Sequence, residues 1–221
     1  MLDADVFASG GPIVYPLLLC SIIALTLFVE RLVVLRIGRF VPHEQRSTVE
    51  HFVAQSDVEG LYKWLQSGDS PLKEMLLVLL KQWNSRQNRQ ETVARVEEWA
   101  SQKSNELERG LEAMGVISSV APMLGLMGTV LGMVVTFESI QIYGLGNADA
   151  LAGGISQALL TTLVGLSVGV PTLIAHRFLL SRVDTILLQW QATASLVLDM
   201  LAEKSAIAQN TQSDSELEQA D

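Results

Sequence analysis

Three stretches of the chain, 6–29, 113–137 and 150–175, contain no Asp, Glu, Lys or Arg. A helix needs roughly 20 apolar residues to cross about 30 Å of hydrocarbon, and each stretch is long enough. Beyond them the pattern turns amphipathic. Val93, Val96, Ala100, Leu107, Leu111 and Met114 recur at helical spacing. Between 91 and 137 the only proline is Pro122. The second span is therefore expected to continue a helix of about 45 residues, roughly 70 Å long at 1.5 Å per residue. The third is expected to run on through Ile186, Leu187, Trp190 and Leu198. In the segment between spans 1 and 2, Ser47 with Glu50 and Ser56 with Glu59 have capping-box spacing. Ser70-Pro71 reads as an N-cap followed by proline at the first helical position. The tail from Gln209 is polar, with four acids and no base, and is expected to be disordered.

Charge gives the spans a direction. All 15 basic residues lie in 30–112 or after His176. The N-terminal flank and the 138–149 loop carry Asp3, Asp5, Glu138 and Asp149 instead. By the positive-inside rule the N-terminus is outside and the C-terminus cytoplasmic. The expected order is a periplasmic N-terminus (1–5), transmembrane helix 1 (6–29), a cytoplasmic helical domain (30–112) and transmembrane helix 2 (113–137). A periplasmic loop (138–149), transmembrane helix 3 (150–175), a cytoplasmic helix (176–208) and an acidic tail (209–221) complete it. The expected fold class is an all-α integral membrane protein with three transmembrane helices, spans 2 and 3 extended into long cytoplasmic helices. Span 1 does not read as a signal peptide: two acids and no base precede it.

Composition agrees. Hydrophobic residues make up 49% of the chain and charged residues 18%, a deficit against the quarter usual in soluble domains. The net charge of −9 argues against a nucleic-acid partner. A single cysteine, Cys20, allows no internal disulfide. No nucleophile–base pair, phosphate loop or metal-ligand spacing is present, so neither an enzyme nor a cofactor is expected. Trp64, Trp83, Trp99 and Trp190 all fall outside the spans and read as core or interface anchors.

Spans 2 and 3 share a further pattern. Ser118, Pro122, Gly125, Thr129, Gly132 and Thr136 are spaced 4, 3, 4, 3, 4. Gly154, Ala158, Thr162, Gly165, Gly169 and Thr172 are spaced 4, 4, 3, 4, 3. Each set lies on one helix face. Small residues let membrane helices approach closely, so the faces read as packing seams. The hydroxyls also suit a polar pore wall, and both uses can hold in a ring of subunits. Thr129 and Thr162 fall roughly 12 and 18 Å from the outer surface at 1.5 Å per residue. No ionisable group lies inside any span. Proton-moving membrane proteins hold an acid, base or histidine there, so a second chain would have to bring it.

The stretch APMLGLMGTVLGM over 121–133 resembles the second-span motif of the ExbB/TolQ/MotA family. GGISQALLTTLVGL over 153–166, followed by Pro171, resembles its third-span motif. The three-span, N-outside layout with a large first cytoplasmic loop resembles ExbB and TolQ, whereas MotA-type stators have a fourth span. The resemblance implies an inner-membrane proton-channel subunit forming a homopentameric ring around the single-span helices of an ExbD- or TolR-like partner. That partner's membrane aspartate carries the proton, and work passes to a TonB- or TolA-like protein. By the same resemblance Thr129 and Thr162 are pore threonines, and Glu112 and Pro122 occupy structural positions. Many relatives carry glutamate where this chain has Gln157, which the resemblance places in the proton pathway. An amide can hydrogen-bond but takes up no proton near neutral pH, which leaves the partner's aspartate as sole carrier or marks a specialised branch, with a lower rate or another coupling ion. The wording of span 3 is more like that of ExbB, which points to TonB-dependent import such as iron uptake. A Tol-Pal envelope-integrity role and a non-conducting scaffold stay open.

Overall fold

The computed structural model describes residues 11–35, 40, 43–86, 88–144 and 148–218. The expected 1–5 terminus, residues 6–10 of span 1 and the last three of the tail lie outside them. Among the described residues the secondary structure is helical, without strands. The helices are α1 (Val14–Val34), α2 (His43–Ala54), α3 (Val58–Leu65), α4 (Pro71–Arg86), α5 (Arg89–Glu108), α6 (Leu111–Tyr143) and α7 (Ala148–Glu218). Three are long and apolar enough to cross a membrane, over Val14–Val34, Leu111–Ile142 and Leu151–Ile207. The chain is an all-α membrane protein with three candidate spans. It divides into two compact units, Met1–Val34 with Arg109–Leu180 and Leu35–Glu108 with Ser181–Asp221.

The first unit holds α1, α6 and the first part of α7. Its small core joins all three: Ile13 and Leu17 meet Ala121 and Leu124 of α6, and Val164 and Val168 of α7. Most of the α1 surface stays outside that core. Tyr15, Leu19, Ile22, Leu25 and Val33 are more than half exposed. A helix that is apolar all round yet barely buried in protein belongs in hydrocarbon. There a helix satisfies its own backbone groups, so exposed Leu and Ile cost nothing.

The long rod expected over 91–137 is two helices. α5 ends at Glu108, and Gly110 turns the chain with φ +86. Glycine enters this left-handed region without the Cβ clash other residues meet. Proline was the wrong breaker to look for; glycine stops this helix. α6 and α7 also extend past the expected span ends, so the 138–149 loop narrows to the residues between Tyr143 and Ala148. Pro122 and Pro171 lie inside these helices.

The second unit packs α2–α5 with the remainder of α7. Leu61, Leu65, Leu72, Leu76 and Leu79 are buried across α3 and α4. Trp190 of α7 is buried, packs against Trp99 with ring centroids 5.3 Å apart and planes tilted by 55°, and donates its indole N–H to the Phe40 carbonyl at 3.3 Å. Trp83 is buried, and Trp64 receives the Lys73 ammonium over its ring at 4.2 Å. The tryptophans anchor this unit as expected.

Two capping assignments change. Ser47 lies inside α2 and donates to the Glu44 carbonyl instead. Asp57, not Ser56, caps α3, accepting the Gly60 N–H at 2.9 Å. Ser56 has φ +52 in the preceding turn. Ser70-Pro71 does open α4, where the Glu74 N–H reaches the Ser70 carbonyl. α7 runs through 209 to Glu218, where disorder was expected. No glycine or proline interrupts that stretch, so nothing local stops the helix.

Candidate functional site

The candidate site is the seam where α6 and α7 meet in the first unit. Both helices place a small residue at nearly every contact, so backbone meets backbone. A Cβ added to Gly165 would stand 2.7 Å from the Ala121 carbonyl oxygen and 2.9 Å from Gly125 Cα. One added to Gly125 would stand 3.0 Å from the Thr161 carbonyl oxygen. Gly132 faces Ala158, and Gly154 faces Thr136. At the other end Gly169 lies on Pro122, with its would-be Cβ 2.6 Å from the Pro122 Cδ and 3.1 Å from the Ser118 carbonyl. Pro122 has no N–H to give that carbonyl.

The pairing is antiparallel and joins ten of the twelve small residues read as a seam. Their hydroxyls are mostly spent within their own helices. Ser118 donates to Gly115, Thr136 to Gly132 and Thr172 to Val168. Thr162 is different: its hydroxyl crosses the seam and donates to the Gly125 carbonyl at 3.1 Å. Thr129 is partly buried and donates to the Leu126 carbonyl at 2.6 Å. With Thr162 level with Gly125, Thr129 sits four residues further along α6, about 6 Å. That equals the difference between the two expected depths.

Two expected residues take other places. Gln157 lies against Gly11, where a Cβ would run into its side-chain amide. It is five residues from Thr162, about 140° around the helix, and so faces the start of α1 instead of the seam. Thr172 is buried and lines an apolar groove beside α1. Conversely, the seam contains a pair the spacing analysis omitted. Thr161 is 1% exposed, and its side chain occupies the space a Cβ on Gly128 would need. The row Ala121, Gly125, Gly128, Gly132 keeps the same 4, 3, 4 spacing and could have found it.

No acid or base lies within 113–137 or 150–175. His176 stands at the end of the latter, its ring 3.3 Å from where a Gly115 Cβ would be. Chemically, the seam offers hydroxyl and carbonyl oxygens in an apolar frame and no group that itself changes charge.

The stretch 67–192, spanning α6 and most of the seam's surroundings, matches the MotA/TolQ/ExbB proton channel family. The chain belongs to that family. A Synechocystis protein named biopolymer transport protein ExbB-like 1 is 34% identical over 187 residues, covering 80% of this chain and 70% of that protein. The biopolymer transport protein ExbB of Aquifex aeolicus is 38% identical over 92 residues, 42% of this chain and 62% of its own length. That of Helicobacter pylori is 42% identical over 81 residues, 37% of this chain and 56% of its own. The family match covers the whole of the seam, from Ser118 to Thr172.

Proposed function

We propose that this chain is an ExbB-like ring subunit of the inner membrane that passes protons with the help of a second protein. The observation that carries the reading is a polar seam with no ionisable group within 113–137 or 150–175. Thr129 and Thr162 are the hydroxyls assigned to the pathway. The titrating carboxyl comes from an ExbD-like single-span partner seated within the ring, and the proton is the coupling ion, with no other cofactor. Work then passes to a TonB-like protein for biopolymer import. The N-terminus faces the periplasm, because the basic residues gather on the other side. Gln157, turned toward Gly11, is assigned to holding the start of α1.

The test is proton flux into liposomes holding the chain with and without its co-expressed single-span partner. Flux is expected only with the partner, and is expected to vanish in Thr162→Val while the complex still assembles. Full flux through that variant, or through the chain alone, would sink the reading.

A further inference from the structure

In the first unit, α1, α6 and α7 surround an apolar groove of about 570 Å³. Ser21, Ala24 and Phe28 line it from α1, Met114 from α6, and Pro171 and Phe178 from α7. Its volume suits a small-molecule or cofactor site, and its walls are nearly all carbon.

The groove leads to a charge. Ser21, Ala24, Phe28 and Arg31 are spaced 3, 4 and 3, so they share one face of α1. Gly110, the N-cap of α6, lies one turn before Met114. Arg31 packs there, its Nε 3.3 Å from the place a Gly110 Cβ would take. Both walls thus pass within a single turn from apolar lining to guanidinium. The Arg31 side chain is only 14% exposed. Its Nε is buried without a hydrogen-bond partner among the described residues. The Glu30 carboxylate is 3.9 Å from Nη2, beyond hydrogen-bond reach. Glu30 and Glu112 are exposed to solvent, as is Arg177. A buried cationic N–H without an acceptor is costly, most of all beside hydrocarbon.

We propose that the groove holds one anionic phospholipid, an acyl chain in the apolar trough and the phosphodiester on Arg31 Nε. A tail slot ending in a single cation at the end of a span has the layout of a lipid in one leaflet. Arginine recognises phosphate through charge-assisted, directional hydrogen bonds. A neighbouring copy could fill the trough with its own span. The three apolar stretches carry no acid, though, so such a span would bring no anion into the trough, as a lipid phosphate does.

Native mass spectrometry of the full chain in detergent tests this. The chain is titrated with phosphatidylglycerol and phosphatidylcholine of identical acyl chains. One phosphatidylglycerol per chain is expected to be retained, about tenfold more tightly than phosphatidylcholine, whose choline cation offsets the phosphate charge that Arg31 meets. Arg31→Gln is expected to erase that preference. Ser167→Phe, which fills the groove from an exposed lining position, is expected to reduce both adducts. Should Arg31→Gln fail to fold, Arg31→Lys is used, with partial loss expected. Equal retention of both lipids by wild type, or undiminished adducts in Ser167→Phe, would overturn the proposal. So would a Ser167→Phe chain that loses its oligomeric mass but keeps its lipid, because the groove's occupant would then be a second copy.

Discussion

Thr162 separates packing from conduction at the scale of one side chain. Its hydroxyl reaches the Gly125 carbonyl across the seam. Hydrogen bonds of this kind contribute about 0.6 kcal/mol on average in membrane helices. Thr162→Val keeps the shape, so its effect on thermal stability in detergent is expected to be slight. Proton flux with the partner is expected to be lost, and Thr162→Ser is expected to restore it. The neighbouring Thr161 serves as the control. It is fully buried, and its hydroxyl is already bound to the Ala158 carbonyl at 2.8 Å. Thr161→Val should leave flux intact. If both valine variants conduct, the seam threonines are packing residues and nothing more. Gln157→Glu tests the other side of the same helix. Facing Gly11, the new carboxyl should not change flux; a clear rise would return that position to the pathway.

At the scale of helices, the glycines divide by what surrounds them. Gly165 has backbone atoms of α6 in the space its Cβ would need, whereas Gly153 has nothing within 4 Å. Gly165→Ala must push α6 and α7 apart, and is expected to lower stability by about 1–3 kcal/mol, as overpacking does. Gly153→Ala is expected to be neutral or stabilising by up to about 1 kcal/mol, from helix propensity alone. Melting temperatures of the purified variants check the contrast. Gly110→Ala belongs with Gly165: a φ of +86 costs an L-residue about 1–2 kcal/mol, and Arg31 crowds the new methyl. Here the limits of reading from sequence are visible. The 4-and-3 spacing showed which faces of α6 and α7 were narrow and small, because helical periodicity is local. It could not show which neighbour met each face. Thr161 was therefore passed over although it meets Gly128, and Gln157, which the resemblance grouped with the threonines, meets Gly11. The Gly110 break was missed for a related reason. A lone glycine is tolerated in many helices, and only its positive φ and the adjacent Arg31 make this one a stop.

At the scale of the molecule, the apolar surface and the charge distribution state what the chain lacks. Large side chains such as Met123, Leu126, Leu159 and Leu163 remain mostly exposed on α6 and α7, on helices whose shared seam is already closed. Contiguous apolar surface of this extent calls for lipid or further chains. Lipid alone would satisfy the oily faces. It would not supply an ionisable group, and the stretches 6–29, 113–137 and 150–175 have none of their own. The ring reading therefore makes a joint prediction about mass and orientation. Co-expressed with an ExbD-like single-span protein, the chain should purify as a multimer carrying partner chains, and lose flux when the partner's membrane carboxyl becomes an amide. With Cys20 replaced by serine, a new cysteine at Asp3 should react with a membrane-impermeant maleimide added outside. One at Gln66, in the 30–112 segment that holds most of the Lys and Arg residues, should react only after the membrane is opened. The two arms fail separately. Reversed labelling would overturn the orientation but leave the ring standing. A chain that stays monomeric beside its partner would leave the proton without a carrier, and the seam would then be the contact surface of two helices.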